Sequence, residues 1–183
     1  MRVIAGAAKG IRLGQVPRGV RPVSDMAREG LFSSLGSSVA GAHVLDLYAG
    51  TGALAIEALS RGAASAVLVE RNRPAVRAIA DNLARARATT SASVVASDVR
   101  RFLMRDDKSD GPFDLVFADP PYGTDEADVS EILRLLAGGW LAERWTVVLT
   151  RSSRSSTHVI PVDWPIARRL EYGDTLVLVF DRR

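Results

Sequence analysis

The chain has 183 residues, a net charge of +3, 47% hydrophobic residues and no cysteine. That length suits one domain with a substantial core, and the composition is ordinary for a soluble globular protein. The missing thiols exclude disulfides, thiolate metal sites and cysteine nucleophiles, and with only His43 and His158 no histidine-built metal site is expected.

The chain starts with MRVIAGAAKGIRLG, which lacks the apolar core of a signal peptide. No apolar run approaches the ~20 residues that span a bilayer, so a cytoplasmic protein without membrane association is expected. RVIAG and GIRLG read as two short strands around the turn AAKG. VRPVSDMAREGLFSSLG then enters a helix capped by Ser24 or Asp25. Two short strands and one helix bury little alone. Residues 1–38 are therefore expected to form an extension, a β-hairpin and a helix, docked on a main domain spanning 39–183.

From residue 44 strand and helix patterns alternate. HVLDLYA is a buried strand, followed by the helix GALAIEALSRG with Gly62 as its stop. ASAVLVE is a second strand; Asn72 caps the next helix, with Pro74 in its first turn, and that helix runs to about Arg87. SASVVASD, FDLVFAD and WTVVLT are further strands, separated by a short helix in VRRFLMR and a longer one over 126–137. TRSSRSSTH, residues 150–158, reads as a surface loop. The tail IARRLEYGDTLVLVFDR holds two strand-like runs joined by YGD, an antiparallel hairpin. Alternating strands and helices give parallel βαβ units. Five parallel strands closed by a hairpin is the layout of the Rossmann-like methyltransferases, an α/β class.

In open α/β sheets a ligand sits beyond the carboxyl ends of the strands. Acids stand at four such ends here: Asp46, Glu70, Asp98 and Asp119. Each alone could be a helix cap; four in one place point to a site. The turn DLYAGTGALA places Gly50 and Gly52 where the backbone can approach a ligand closely. This turn also fits the looser dinucleotide fingerprint, with Glu70 placed for a ribose hydroxyl, so an NAD-dependent dehydrogenase is a competing reading. Asp46 argues against it, because a carboxylate there repels a pyrophosphate. It suits a ligand with an ammonium and a sulfonium and no phosphate, which is S-adenosylmethionine. Glu70 then accepts from ribose hydroxyls and Asp98 from the adenine amine. Tyr48, Arg71 and Val99 complete the candidate cofactor set, and S-adenosylhomocysteine would be the product.

The fourth strand runs into Asp119, Pro120, Pro121 and Tyr122. An exocyclic nucleobase amine is a poor nucleophile, because its lone pair is delocalised into the ring. The Asp119 carboxylate and the Pro120 carbonyl can accept from both its N–H groups and turn that lone pair toward a methyl. The double proline holds the carbonyl rigidly, and Tyr122 is placed to stack on the base. Catalysis would come from positioning and from stabilising charge developing on nitrogen. A base paired in a helix cannot reach such a clamp, so the target is flipped or unpaired. The absent cysteine agrees, since methylation at pyrimidine C5 by the usual route needs a thiolate.

Charge is unevenly spread. Arg2, Lys9, Arg12, Arg18, Arg21 and Arg28 face only Asp25 and Glu29 in residues 1–35, and a second group runs from Arg71 to Arg105. Arginine pairs with phosphate bidentately, so both clusters suit a nucleic acid, a solvated basic face being the alternative.

RPVSDMAREGLF, VLDLYAGTGALAIEALSRGA, FDLVFADPPY and EYGDTLVLVF together resemble the bacterial methyltransferases that modify the N2 amine of one guanine in small-subunit (16S) ribosomal RNA. The resemblance covers nearly the whole chain. DPPY alone is shared with adenine-N6, cytosine-N4 and protein-glutamine enzymes, so it names only amine transfer; the head RPVSD is more specific. The resemblance implies a seven-stranded sheet with S-adenosylmethionine at strands 1, 2 and 3, and Asp119 to Tyr122 around the guanine. Its implied partner is small-subunit ribosomal RNA, free or within a subunit, and a monomer is expected. Arg2, Lys9, Arg12 and Arg21 are the candidates for RNA phosphates. Val23 stands where Thr is usual, and Gly30 where Ala is frequent, the latter costing about 1 kcal/mol of helix propensity. An adenine-N6 enzyme of DNA or RNA is the nearest alternative, and a basic RNA-binding module without catalysis a further one.

Overall fold

The computed structural model describes residues 1–14, 24–121, 123–153 and 164–182. Its elements are α1 (Asp25–Leu35), β1 (His43–Leu47), α2 (Ala53–Ser60), β2 (Ser65–Glu70), α3 (Arg73–Arg85), β3 (Ala92–Ala96), α4 (Val99–Leu103), β4 (Phe113–Ala118), α5 (Glu126–Ala137), β5 (Leu141–Ser152), β6 (Ile166–Tyr172) and β7 (Thr175–Arg182). One seven-stranded sheet has the order β3-β2-β1-β4-β5-β7-β6. Strands β3 to β5 pair in parallel, and β7 lies antiparallel between β5 and β6. This is the expected α/β class, with parallel strands and a terminal hairpin.

The central strands are apolar throughout because both faces of the sheet are covered. On one face Val44, Leu68, Phe117 and Val148 pack with Phe32 of α1, Leu54 of α2 and Ile79 of α3. On the other, Leu45, Val67, Val116 and Val147 pack with Phe102 of α4 and Leu133 of α5. Trp140 seals this second layer by stacking on Phe102, with ring centroids 4.8 Å apart, while its indole N–H donates to the Leu103 carbonyl.

The head is held by its own backbone bonds and by α2. RVIAG and GIRLG run antiparallel around a bridge between Arg2 and Arg12, where Val3 N–H donates to the Ile11 carbonyl at 3.0 Å, Gly10 N–H to the Val3 carbonyl at 2.9 Å and Leu13 N–H to the Met1 carbonyl at 3.2 Å. Other backbone donors of the head go to α2. Ile4 and Ala5 N–H donate to the Glu57 carboxylate at 2.8 and 3.0 Å, and Ala8 N–H donates to the Ser60 hydroxyl at 2.9 Å. Arg28 of α1 is buried and donates to the Asp25 carboxylate at 2.9 Å and to the Arg2 carbonyl, with Glu57 3.8 Å from its Nε. Val3, Ala8 and Leu13 join the same core as α1, α2 and α3. Ser24 is the cap of α1, accepting from Ala27 N–H at 3.1 Å.

Gly30 has a steric reason. A Cβ there would lie 2.2 Å from the Tyr172 hydroxyl oxygen, so the absent side chain makes room for the ring at the end of β6. The helix propensity lost at Gly30 accompanies a close approach between the head and the terminal hairpin.

Candidate active site

Because β3, β2, β1 and β4 are neighbours in that order, their carboxyl ends bring Asp98, Glu70, Asp46 and Asp119 into one row. Residues far apart in sequence become adjacent through sheet pairing alone. Asp46 lies inside β1, between Leu68 of β2 and Phe117 of β4, and is 1% exposed. Its Oδ2 accepts from Ala55 N–H at 3.1 Å in the first turn of α2. Burial pushes its carboxyl up to about 8; the charges of Asp119 and Glu70 add to the rise and the Ala55 bond opposes it.

Glu70 closes the glycine turn. One carboxylate oxygen accepts from Gly50 N–H at 2.9 Å and the other from Asn72 N–H at 2.8 Å. Gly50 and Gly52 both have positive φ, 58° and 75°, and a Cβ at Gly52 would stand 3.0 Å from Leu68. Gly52 N–H donates to the Ala49 carbonyl at 2.7 Å. Three donors of the turn and helix start are thus already taken, two of them by carboxylates. A pyrophosphate would find the Gly50 and Gly52 amides occupied and the Glu70 carboxylate against it, so the dinucleotide reading does not fit. A cationic ligand without phosphate does.

The remaining cofactor candidates sit around this turn. Tyr48 is half-buried with φ 61°, and burial pushes its hydroxyl up to about 12, with help from Asp98 and Asp128. Asp98 is the cap of α4, accepting from Arg101 N–H at 3.3 Å, and its other oxygen lies 3.4 Å from Arg71. Arg71 is exposed, while the Val99 side chain is buried in the second core layer. The cap reading of Asp98 is therefore realised, with its carboxylate still half-exposed at the sheet edge.

Beyond β4 a second recess opens, lined by Asp119, Pro120, Pro121, Gly123 and Thr124 on one side and Thr150, Arg151 and Ser152 on the other. Asp119 N–H donates to the Leu47 carbonyl at 3.4 Å, which ties the clamp to β1. Thr124 locks the turn: its N–H and hydroxyl both donate to the Pro121 carbonyl, at 3.1 and 2.8 Å. Among the described residues none donates to the Pro120 carbonyl, the acceptor assigned to the amine. Tyr122 and Arg21 lie outside the described residues. Arg2, Lys9 and Arg12 are exposed on the head, the two arginines side by side across the bridge.

The family described as Conserved hypothetical protein 95 matches residues 1–181. Ribosomal RNA small subunit methyltransferase D of Escherichia coli K12 is 34% identical, over 100% of this chain and 90% of that protein. The chain belongs to this methyltransferase D family. The solved structure of yhhF from Escherichia coli has a TM-score of 0.85 at 34% identity, covering 100% of this chain and 98% of that one. SMU.776, solved complexed with SAH, shares the fold at 17% identity with a TM-score of 0.68, over 86% of this chain and 48% of that one.

Within this family member, several site residues escape sequence reading. Arg151 and Ser152 fall in TRSSRSSTH, expected as a loop, yet β5 continues through Ser152 because Ser152 and Arg151 pair with Thr175 and Leu176 of β7. Residues 154–158 of that stretch lie outside the described residues. Asn82, fully buried in α3, donates to the Thr51 carbonyl at 2.9 Å and accepts from Gly14 N–H at 2.7 Å. It thereby ties the glycine turn to the head. The only cue was a polar residue on the apolar face of α3.

Proposed function

We propose that the chain transfers a methyl group from S-adenosylmethionine to the exocyclic N2 amine of a guanine in small-subunit ribosomal RNA. The observation that carries this reading is the row of four carboxylates ending on Asp119, with the rigid Pro120–Pro121 segment beside the buried Asp46. The name of the Escherichia coli relative supports the ribosomal substrate, and the complex of SMU.776 with SAH supports the cofactor.

Asp46, Tyr48, Gly50, Gly52, Glu70, Arg71, Asp98 and Val99 would hold the cofactor. Bound there, S-adenosylmethionine supplies a methyl on a positively charged sulfur. Glu70 would accept from ribose hydroxyls with the lone pairs its two backbone bonds leave, Asp98 from the adenine amine, and Asp46 would face the ammonium. At the neighbouring strand ends, the Asp119 carboxylate and Pro120 carbonyl accept the two N–H groups of the flipped base, and Tyr122 stacks on it. The amine's lone pair is then directed out of the ring plane, and Asp119 offsets the charge that grows on nitrogen. Asp119 or water takes the proton. Residues 1–38 act as the RNA contact, with Arg2, Lys9, Arg12 and Arg21 on phosphates. Like charges side by side, as at Arg2 and Arg12, are relieved by an anion.

The test uses small-subunit RNA, free and in particles, from a strain lacking the enzyme. With labelled S-adenosylmethionine, nuclease digestion and mass spectrometry should find N2-methylguanosine at one position. N6-methyladenosine would instead favour the adenine reading. In calorimetry, binding of NADH without binding of S-adenosylmethionine would overturn the cofactor assignment.

A further inference from the structure

Resting on the reading above, we propose that Arg151 donates to the six-position oxygen of the target purine and so selects guanine among amine-bearing bases. Asp119 to Tyr122 explain amine transfer, but an adenine offers an amine too. The base-discriminating contact must come from elsewhere in the recess, and the opposite wall is the end of β5.

β4 and β5 are parallel, with Ala118 opposite Leu149. The chain beyond that rung forms the two walls of one recess: Asp119, Pro120 and Pro121 on the β4 side, Thr150, Arg151 and Ser152 on the β5 side. Among the described residues, Arg151 is the one cation lining it, as Asp119 is the one acid. Its position is fixed by the ladder, since Arg151 pairs with Leu176 of β7. Arg151 is only half-exposed, and its Nη1 is buried with no hydrogen-bond partner among the described residues. A guanidinium only donates, so what completes this group is an acceptor brought by a ligand.

An acid and an unsatisfied donor lining one recess match guanine. In guanine the N2 amine and the O6 acceptor flank N1, so one edge offers donors to Asp119 and an acceptor to Arg151. In adenine the position across N1 from the amine is a C–H. Arginine paired with the O6 and N7 of guanine is a frequent base-specific contact, and one pair discriminates on the order of tenfold to a hundredfold. The same guanidinium could meet the phosphate of the flipped nucleotide, and the experiment separates the two.

Once the methylated guanine is mapped, small-subunit RNA is assembled with guanine or 2-aminopurine at that position. 2-Aminopurine keeps the amine and lacks the O6 oxygen. The wild type should show a kcat/KM on the order of tenfold to a hundredfold higher for guanine. Arg151→Gln should lose most of that preference by slowing transfer to guanine while leaving 2-aminopurine within about threefold. Arg151→Lys, which keeps the charge without the planar fork, should fall between them. Calorimetry with S-adenosylmethionine and a thermal melt check that each variant is folded, and Arg151→Lys carries the comparison if Arg151→Gln is not. An equal loss on both RNAs would place Arg151 on a phosphate and overturn the assignment, as would an unchanged preference. Failure of the wild type on guanine RNA would sink the methyl-transfer reading itself, and this assignment with it.

Discussion

Along the carboxyl edge of the sheet, the β1–β3 half and the β4–β5 half are shaped by different means. In the first, Asp46 and Glu70 bond the backbone of adjoining turns, so the carboxylates hold their own loops in place. In the second, two prolines and the Thr124 bonds to Pro121 set the wall, and Arg151 carries a donor with no partner among the described residues. A pocket that recognises the same small molecule at every turnover can be wired through its acids. A recess that admits a large, flexible substrate can keep a donor such as the Arg151 guanidinium for it. Substitutions in the first half should therefore affect stability and cofactor affinity together, whereas those in the second should affect transfer alone.

The largest expected effect is in the second half. Asp119→Ala should reduce single-turnover transfer by at least about 100-fold while S-adenosylmethionine affinity stays within a few-fold. Normal turnover by that variant would end the clamp assignment. Glu70→Ala tests the first half. It strands the Gly50 and Asn72 N–H groups, costing about 2–4 kcal/mol in urea unfolding, and cofactor binding should weaken on the order of tenfold or more. A variant of wild-type stability with weakened binding would separate the two roles and break the contrast. Pro121→Ala comes next: loosening the turn should lower kcat by about threefold to tenfold, with stability changed by no more than about 1 kcal/mol.

The smallest effect concerns pH. Burial pushes the Asp46 carboxyl up to about 8, so the folded chain keeps a proton that the unfolded chain releases near pH 4. With more protons bound folded than unfolded, stability falls as pH rises from about 4 to about 8. Asp46→Asn keeps an acceptor for Ala55 N–H and should remove that fall. Without cofactor, its Tm should match wild type near pH 4 and lie a few degrees above it at pH 8. Parallel pH profiles for the two proteins would show that Asp46 is not the group responsible.

Much of the fold was legible because its signals are local. The strand runs, the Asn72 cap and the YGD turn each fall within a few residues, and the elements appear where they imply. How the head is anchored was not legible, because Glu57 and Ser60, which take the Ile4, Ala5 and Ala8 donors, lie more than 50 positions away. The Arg151–Ser152 stretch misled, since composition suggests a loop where pairing with β7 makes strand.

By itself, the sequence determined the order of strands and helices, the acids at four strand ends and the proline-rigidified Asp119 segment. These follow from hydrophobic period, backbone chemistry and residue type. Only the tertiary structure decided that Asp46 is buried, that the Gly50 and Gly52 donors are occupied, and that Arg151 and Asp119 line one recess. Each of these depends on which strands lie side by side and on what is shut away from water, and both are properties of packing between distant segments.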